Sequence, residues 1–442
     1  MVLLDQTVVA VILVPMTRSL GISVTAAHRV LLIYLLALSS LTAVGAMAAR
    51  KFGLLRTFWF GVMLFTLASG CCGLTPEGDI AEPFLLISRA LQGAGAALLL
   101  PVATTLIADV YEDHERAGAL TTYAGAAQVF FVIGPLVGAL LAQFLSWRCV
   151  FFLNIPVGVA IICFITRARL GREAVGGRFL VGQPVLMISA LAAVVFGLFQ
   201  IGIWGPGDIR TMAILTLGIL LLAISIAFTL RASRPLVELR LLRNRPYRAA
   251  VTITFLVQGA QLIAVVHGTV HLQQDLHLSI LDSGVAILPL VIALAVGTCA
   301  SAYLLDRFRS IRVTALSSLG CATLGMAGWT SVFVAGTYAW QIPGMIVAGL
   351  GMGAPIPALS AEMMRVVRVE QRADASVLRQ TLRQLGGALG LAVAGALVLS
   401  GNDKASDAAG AIAAPAAVSG FVFASIVLGA AFLVAALIMP RE

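Results

Sequence analysis

The chain has 442 residues, 60% of them apolar and 11% charged, with 29 basic against 20 acidic side chains and a net charge of +9. Its mean hydropathy is +1.01. Soluble domains average about 45–50% apolar and about 25% charged, and single cores stop growing near ~250–300 residues, so neither one water-soluble core nor a disordered chain fits.

The apolar residues come in blocks of about 20, the length of a helix crossing a bilayer, which predicts an all-α, polytopic membrane protein. In chain order the spans are expected at 1–17, 27–49, 54–73, 83–108, 117–143, 148–166 and 183–204. They continue at 211–230, 249–272, 283–304, 313–334, 340–362, 375–399 and 417–438, fourteen in all. The fifth and sixth are divided at Ser146-Trp147-Arg148, because together they are too long for one helix.

Charge in the connections tests this count. With the N-terminus inside, 21 basic residues fall in inner connections, against five at outer ends: Arg18, Arg29, Arg148, Arg210 and Lys404. That bias places both termini in the cytoplasm and the chain in the cell membrane. Basic residues spread this way form no nucleic-acid patch. The two lysines, Lys51 and Lys404, are followed by Phe52 and Ala405, so no P-loop is encoded. The six cysteines lack metal or redox spacing and are expected to be buried thiols packing as small hydrophobes. No cofactor and no metal site are expected, nor is an enzyme: G-x-S-x-G and H-E-x-x-H are both absent.

Lys51-Phe52-Gly53-Leu54-Leu55-Arg56 follows span 2, and Arg307-Phe308-Arg309-Ser310-Ile311-Arg312 follows span 10. Both read basic-Phe-x-x-x-Arg. Spans 1–6 and 9–14 are therefore expected to be two repeated six-helix halves, with spans 7 and 8 an inserted hairpin. The expected divisions are 1–166, 167–248 and 249–442.

Several strings then carry a family resemblance: Leu4-Asp5-Gln6-Thr7-Val8-Val9 in span 1, Arg89-Ala90-Leu91-Gln92-Gly93-Ala94-Gly95 in span 4, and Gly134-Pro135-Leu136-Val137-Gly138 in span 5. Ser146-Trp147-Arg148 and Phe152-Leu153-Asn154-Ile155-Pro156 open span 6. Leu241-Leu242-Arg243-Asn244-Arg245 precedes span 9, and Thr381-Leu382-Arg383-Gln384-Leu385-Gly386-Gly387 lies in span 13. In this order they resemble the major facilitator superfamily, in its fourteen-span drug:proton antiporter branch. The resemblance implies the major facilitator fold, two six-helix halves plus an inserted two-helix hairpin. It also implies proton-coupled efflux of amphipathic small molecules by alternating access, with substrate, protons and the bilayer as partners and a monomer as the working unit. The alternatives are export of one metabolite (a siderophore, antibiotic, lipid or amino acid) and a non-transporting sensor or partner.

Ionisable side chains inside spans are costly and mark function. Asp5 is the sole acid of the first three spans, and Arg89 is its expected partner. The pair either couples a proton or locks spans 1 and 4 together. Gln92, Gly93 and Arg383 are expected in the cavity, and Gly134, Pro135 and Gly138 either hinge span 5 or pack it closely. Arg379 is expected to snorkel or to pair with Glu362 or Asp374. His267, His271 and Asp275, four residues apart, form a stripe on span 9 that is either a polar cavity mouth or a weak metal or proton relay. Glu77, Asp79 and Glu82 read as a solvated outer loop.

The inner loop after span 2 has Ala46 and Arg50 where the superfamily has glycine and aspartate; its second copy keeps the acid as Asp306, with Ala302 for the glycine. Gating in the N-terminal half is therefore expected to lack an acidic contact. Pro15 falls one residue late. Asp5 has four residues ahead of it, where reaching mid-membrane takes about ten at 1.5 Å each, so Met1 is expected to be an internal methionine.

Overall fold

A computed structural model describes residues 1–167, 182–232, 237–333, 337–368, 371–406 and 414–439. Every regular element among them is helical. Spans 1 to 5 are the helices Val2–Leu20, Val24–Phe52, Leu54–Gly73, Ala81–Val110 and Asp113–Phe144. Span 6 is Trp147–Phe152 followed by Asn154–Arg167, and spans 7 and 8 are Gly182–Trp204 and Ile209–Arg231. Span 9 is Arg245–Gln274, span 10 Ile280–Ala286 with Leu288–Phe308, span 11 Ile311–Val332, and span 12 Tyr338–Gly353 with Pro355–Arg365. Spans 13 and 14 are Arg372–Ser406 and Ala414–Ile438. The three interruptions lie just ahead of Pro156, Pro289 and Pro355, whose rings remove a backbone donor and crowd the preceding turn.

Thirteen of these helical segments are long and apolar enough to cross a membrane. Span 11 is the exception to the expected fourteen. It is a helix of 22 residues, IRVTALSSLGCATLGMAGWTSV, whose serines, threonines and glycines dilute its apolar content.

The chain divides into two compact units, Met1–Ala192 with Leu220–Val237, and Ala193–Ile219 with Glu238–Glu442. Within the first, span 4 packs on spans 2 and 3, span 1 on span 5, and span 3 on span 6. Within the second, span 12 packs on spans 10 and 11, span 9 on span 13, and span 11 on span 14. Each of these pairings recurs eight spans on, the fold-level form of the repeat in the two basic loops, while span 9 also packs on span 14 far more than span 1 does on span 6. Those loops also share a backbone feature: Gly53 has φ +92° and Arg309, its counterpart, φ +49°. A residue of positive φ ends the helix at the same place in each copy, left-handed helical at Arg309 but not at Gly53.

Local capping explains two of the sequence strings. The Asn244 side chain accepts from Tyr247 N at 3.2 Å and donates to Val366 O at 3.1 Å, so it starts span 9 and ties it to the segment after span 12. Ser146 caps the start of span 6, where Arg148 lies over the Trp147 ring and donates to Thr75 O at 2.8 Å. The expected burial of the cysteines fails: Cys72 is buried and Cys149 partly so, but Cys71, Cys163, Cys299 and Cys321 are on outer helix faces. A lipid-facing surface is as apolar as an interior, so hydropathy does not distinguish the two. The outer acidic loop is also more tied than expected, since Glu82 meets Arg29 at 2.7 Å and Glu77 approaches Arg148 at 3.6 Å.

Candidate functional site

In the first unit, Asp5 occupies the first turn of span 1, and Arg89 and Gln92 lie three residues apart on one face of span 4. Asp5 and Arg89 have no exposed side-chain surface. Arg89 Nη1 donates to Asp5 Oδ2 at 2.7 Å, and Gln92 Nε2 donates to Asp5 Oδ1 at 2.9 Å. Arg89 also donates to Gln92 Oε1 at 2.5 Å, closing a triangle of three side chains. A desolvated charge is tolerable only when it is paired and its remaining lone pairs are bonded, and both carboxylate oxygens are so engaged here.

Four residues complete the site without having been singled out in the sequence. The Tyr34 ring of span 2 lies 4.1 Å from the Arg89 guanidinium carbon, so the part of Arg89 that makes no hydrogen bond faces a π-cloud. Ser69 of span 3 accepts from Gln92 at 3.1 Å and from Asn154 of span 6 at 2.9 Å, while donating to Phe151 O at 3.0 Å. Cys72 Sγ lies 3.8 Å from Gln92 Oε1. The carboxylate on span 1 is thus linked through side chains to spans 3, 4 and 6. Asn154 belongs to a recognised string, but a lone Ser, Tyr or Cys in an apolar block carries no signal of its own.

The small residues of the site allow this approach. A Cβ at Gly134 would fall onto Thr7 Oγ1, and one at Gly138 would come within 2.9 Å of Val8 Cγ1. Span 5 therefore contacts span 1 within one turn of Asp5, which is the close-packing alternative for that string. Gly93 likewise brings span 4 against Tyr34 and Ala37 of span 2.

In the second unit, Arg383 Nε donates to Gln258 Oε1 of span 9 at 2.6 Å. Gln261 and Gln384 are buried, each with a side-chain oxygen that accepts no hydrogen bond. The expectation that Arg379 pairs with Glu362 does not hold for that acid, which Arg365 binds from one turn away with Nε at 2.7 Å. Asp306 lines a cleft of about 460 Å³ with Leu305, Arg309, Ile311 and Arg365. Asp275 and His271 are joined at 2.6 Å, whereas His267 is buried one turn further in. Among the described residues no group of three such side chains is arranged to hold a metal.

A family model described as Major Facilitator Superfamily matches residues 1–391. The chain belongs to that superfamily. It is 31% identical over 415 residues to a tetracenomycin C resistance and export protein of Streptomyces glaucescens, covering 90% of this chain and 74% of that one. It is 32% identical over 402 residues to the puromycin resistance protein pur8 of Streptomyces alboniger, covering 89% and 78%. In fold it is similar to the crystal structure of a D-xylose-proton symporter, with a TM-score of 0.66 at 14% identity over 99% of this chain and 95% of that one. As a superfamily member it is a multi-pass secondary transporter and not an enzyme.

Proposed function

We propose that the chain exports amphipathic small molecules in exchange for protons by alternating access, and that Asp5 is the proton carrier. The observation that carries this reading is the Asp5 carboxylate, wholly removed from solvent and held by Arg89 and Gln92. A structural tie between helices gains little from a buried ion pair over apolar packing, so the pair's presence points to a task that needs charge. With both partners engaged, each oxygen of the Asp5 carboxylate has a donor and the guanidinium supplies a counter-charge. Movement of span 4 that withdraws Arg89 leaves an unpaired charge in an apolar setting, where taking up a proton removes the cost. Substrate binding that shifts spans 1 or 4 is thereby linked to proton occupancy.

Arg383 with Gln258, and the open acceptors of Gln261 and Gln384, are the side chains of the second unit suited to hold polar parts of a substrate. The close seam of span 5 on span 1 transmits motion to Asp5 and is the role we assign to Gly134, Pro135 and Gly138. Asp306 takes the gating role at its cleft. The excess of basic residues in the inner connections supports cytoplasmic termini for a plasma-membrane protein, and we take a single chain as the working unit.

The similarity to resistance and export proteins directs the choice of probes. Everted membrane vesicles are given ethidium or puromycin with and without an imposed proton gradient. Gradient-dependent accumulation of at least one of them is expected. Accumulation that is unchanged when the gradient is collapsed contradicts the reading.

A further inference from the structure

The second unit contains a buried titratable group that the coupling scheme does not use. His271, on span 9, has 3% of its surface exposed. Its Nδ1 is 2.6 Å from Asp275 Oδ2, its Nε2 is 3.2 Å from Gln341 Nε2, and its ring stacks on Phe333 with centroids 3.5 Å apart. On the far side of Gln341, Trp329 Nε1 lies 3.0 Å from Gln341 Oε1.

Donor and acceptor roles in this chain are fixed from one end. An indole N–H can only donate, so the Gln341 atom facing Trp329 is the oxygen, and the amide nitrogen faces His271. That nitrogen donates, so His271 Nε2 accepts and carries no proton. The single ring proton is then on Nδ1 and is donated to Asp275. Every member is satisfied only while His271 is neutral. A proton added at Nε2 sets two donors against each other across 3.2 Å. Turning the Gln341 amide over does not relieve this, since its nitrogen would then face the Trp329 donor. Asp275 can accept from Nδ1 with or without that second proton, and the ring stays stacked on Phe333. The cluster therefore has two alternative arrangements, and the proton selects between them.

We propose that His271 Nε2 is a proton-binding site, separate from Asp5, whose occupancy breaks the Gln341 link that ties span 12 to spans 9 and 11. Several other titratable groups lie on the packed elements, Arg379 of span 13 among them. His267 lies one turn back on span 9. On span 12, the Tyr338 hydroxyl is committed to Ala286 O at 2.9 Å. Asp282, at the start of span 10, holds Ser279 at 2.7 Å, and His277 lies in the connection before it. Span 14 presents Phe421, against both Trp329 and Phe333. On span 13, Arg383 is bonded to Gln258, more than three turns of span 9 away from His271.

Trp329 is a built-in reporter, because its indole N–H is the last bond of the chain. The full-length protein in nanodiscs, labelled with 5-fluorotryptophan at its five tryptophans, is followed by fluorine NMR from pH 5 to 8, the range in which histidine changes charge. Trp329→Phe assigns the signal. The Trp329 resonance is expected to shift with pH in the unaltered protein and in Asp5→Asn, and to lose that shift in both His271→Gln and Gln341→Leu. Matching melting curves for the last two variants show that the fold survives. A pH-invariant Trp329 signal, a shift that persists in either of those variants, or its loss in Asp5→Asn overturns the proposal. The Asp5→Asn arm makes a failure here distinguishable from a failure of the coupling scheme.

Discussion

Changing Asp5 to asparagine replaces one carboxylate oxygen with an amide nitrogen in a site where neither partner can turn to solvent. The carboxylate accepts from Arg89 through one oxygen at 2.7 Å and from Gln92 through the other at 2.9 Å. Asparagine offers one oxygen, so its amide nitrogen must face one of these two donors. The change removes a charge-assisted hydrogen bond, worth about 1.5–3 kcal/mol, and leaves the buried guanidinium without a counter-charge. Breaking one side of a buried pair costs about 3–5 kcal/mol, and we expect Asp5→Asn in that range, with Gln92 and the Tyr34 ring retaining part of the Arg89 interaction. Removing both charges differs in sign: the double change Asp5→Leu with Arg89→Met should be close to neutral or stabilising, because apolar packing replaces the desolvated pair. Chemical unfolding of the purified protein in detergent measures all three. The two outcomes must separate. A double variant as destabilised as Asp5→Asn, or a single variant within about 1 kcal/mol of the unaltered protein, refutes the electrostatic reasoning.

Three further perturbations test the shell around the pair and the cap that starts span 9. Gly134→Ala places a methyl on Thr7 Oγ1 and should destabilise by about 1–3 kcal/mol, and adding Thr7→Ala should recover much of that loss in the same unfolding assay. Ser69→Ala removes the hydroxyl that joins Gln92, Asn154 and Phe151 and should cost about 1–3 kcal/mol, because buried donors lose their acceptor. Asn244→Ala deletes the cap of span 9 and should cost about 1 kcal/mol, with increased hydrogen exchange at the amide of Tyr247.

Block length and charge alternation make the helices legible, since a bilayer allows few other solutions for a chain this apolar. Span 11 is legible as a helix but not as a strongly apolar span, because serines, threonines and glycines, the buried Thr314, Ser318 and Gly325 among them, dilute its apolar content. The Asp5–Arg89 pair is legible because a membrane makes charges rare and therefore informative. Its companions are not. Ser69, Tyr34 and Cys72 are ordinary in an apolar block, and only the packing of spans 2 and 3 on span 4 brings them to the carboxylate. The cysteines mislead for the converse reason, as inner and outer faces share one hydropathy. Of the partners open to Arg379 in the sequence, Glu362 is taken by Arg365, three residues along its own helix, a local pairing that helix spacing alone does not single out.

If Asp5 carries the coupled proton, its neutral replacement must separate driven transport from exchange. Everted vesicles bearing the unaltered protein or Asp5→Asn, at equal membrane levels, are compared for gradient-driven accumulation of ethidium and for exchange of internal against external ethidium without a gradient. Asp5→Asn is expected to lose gradient-driven accumulation while still exchanging substrate. Gradient-driven accumulation by Asp5→Asn at the rate of the unaltered protein would contradict it.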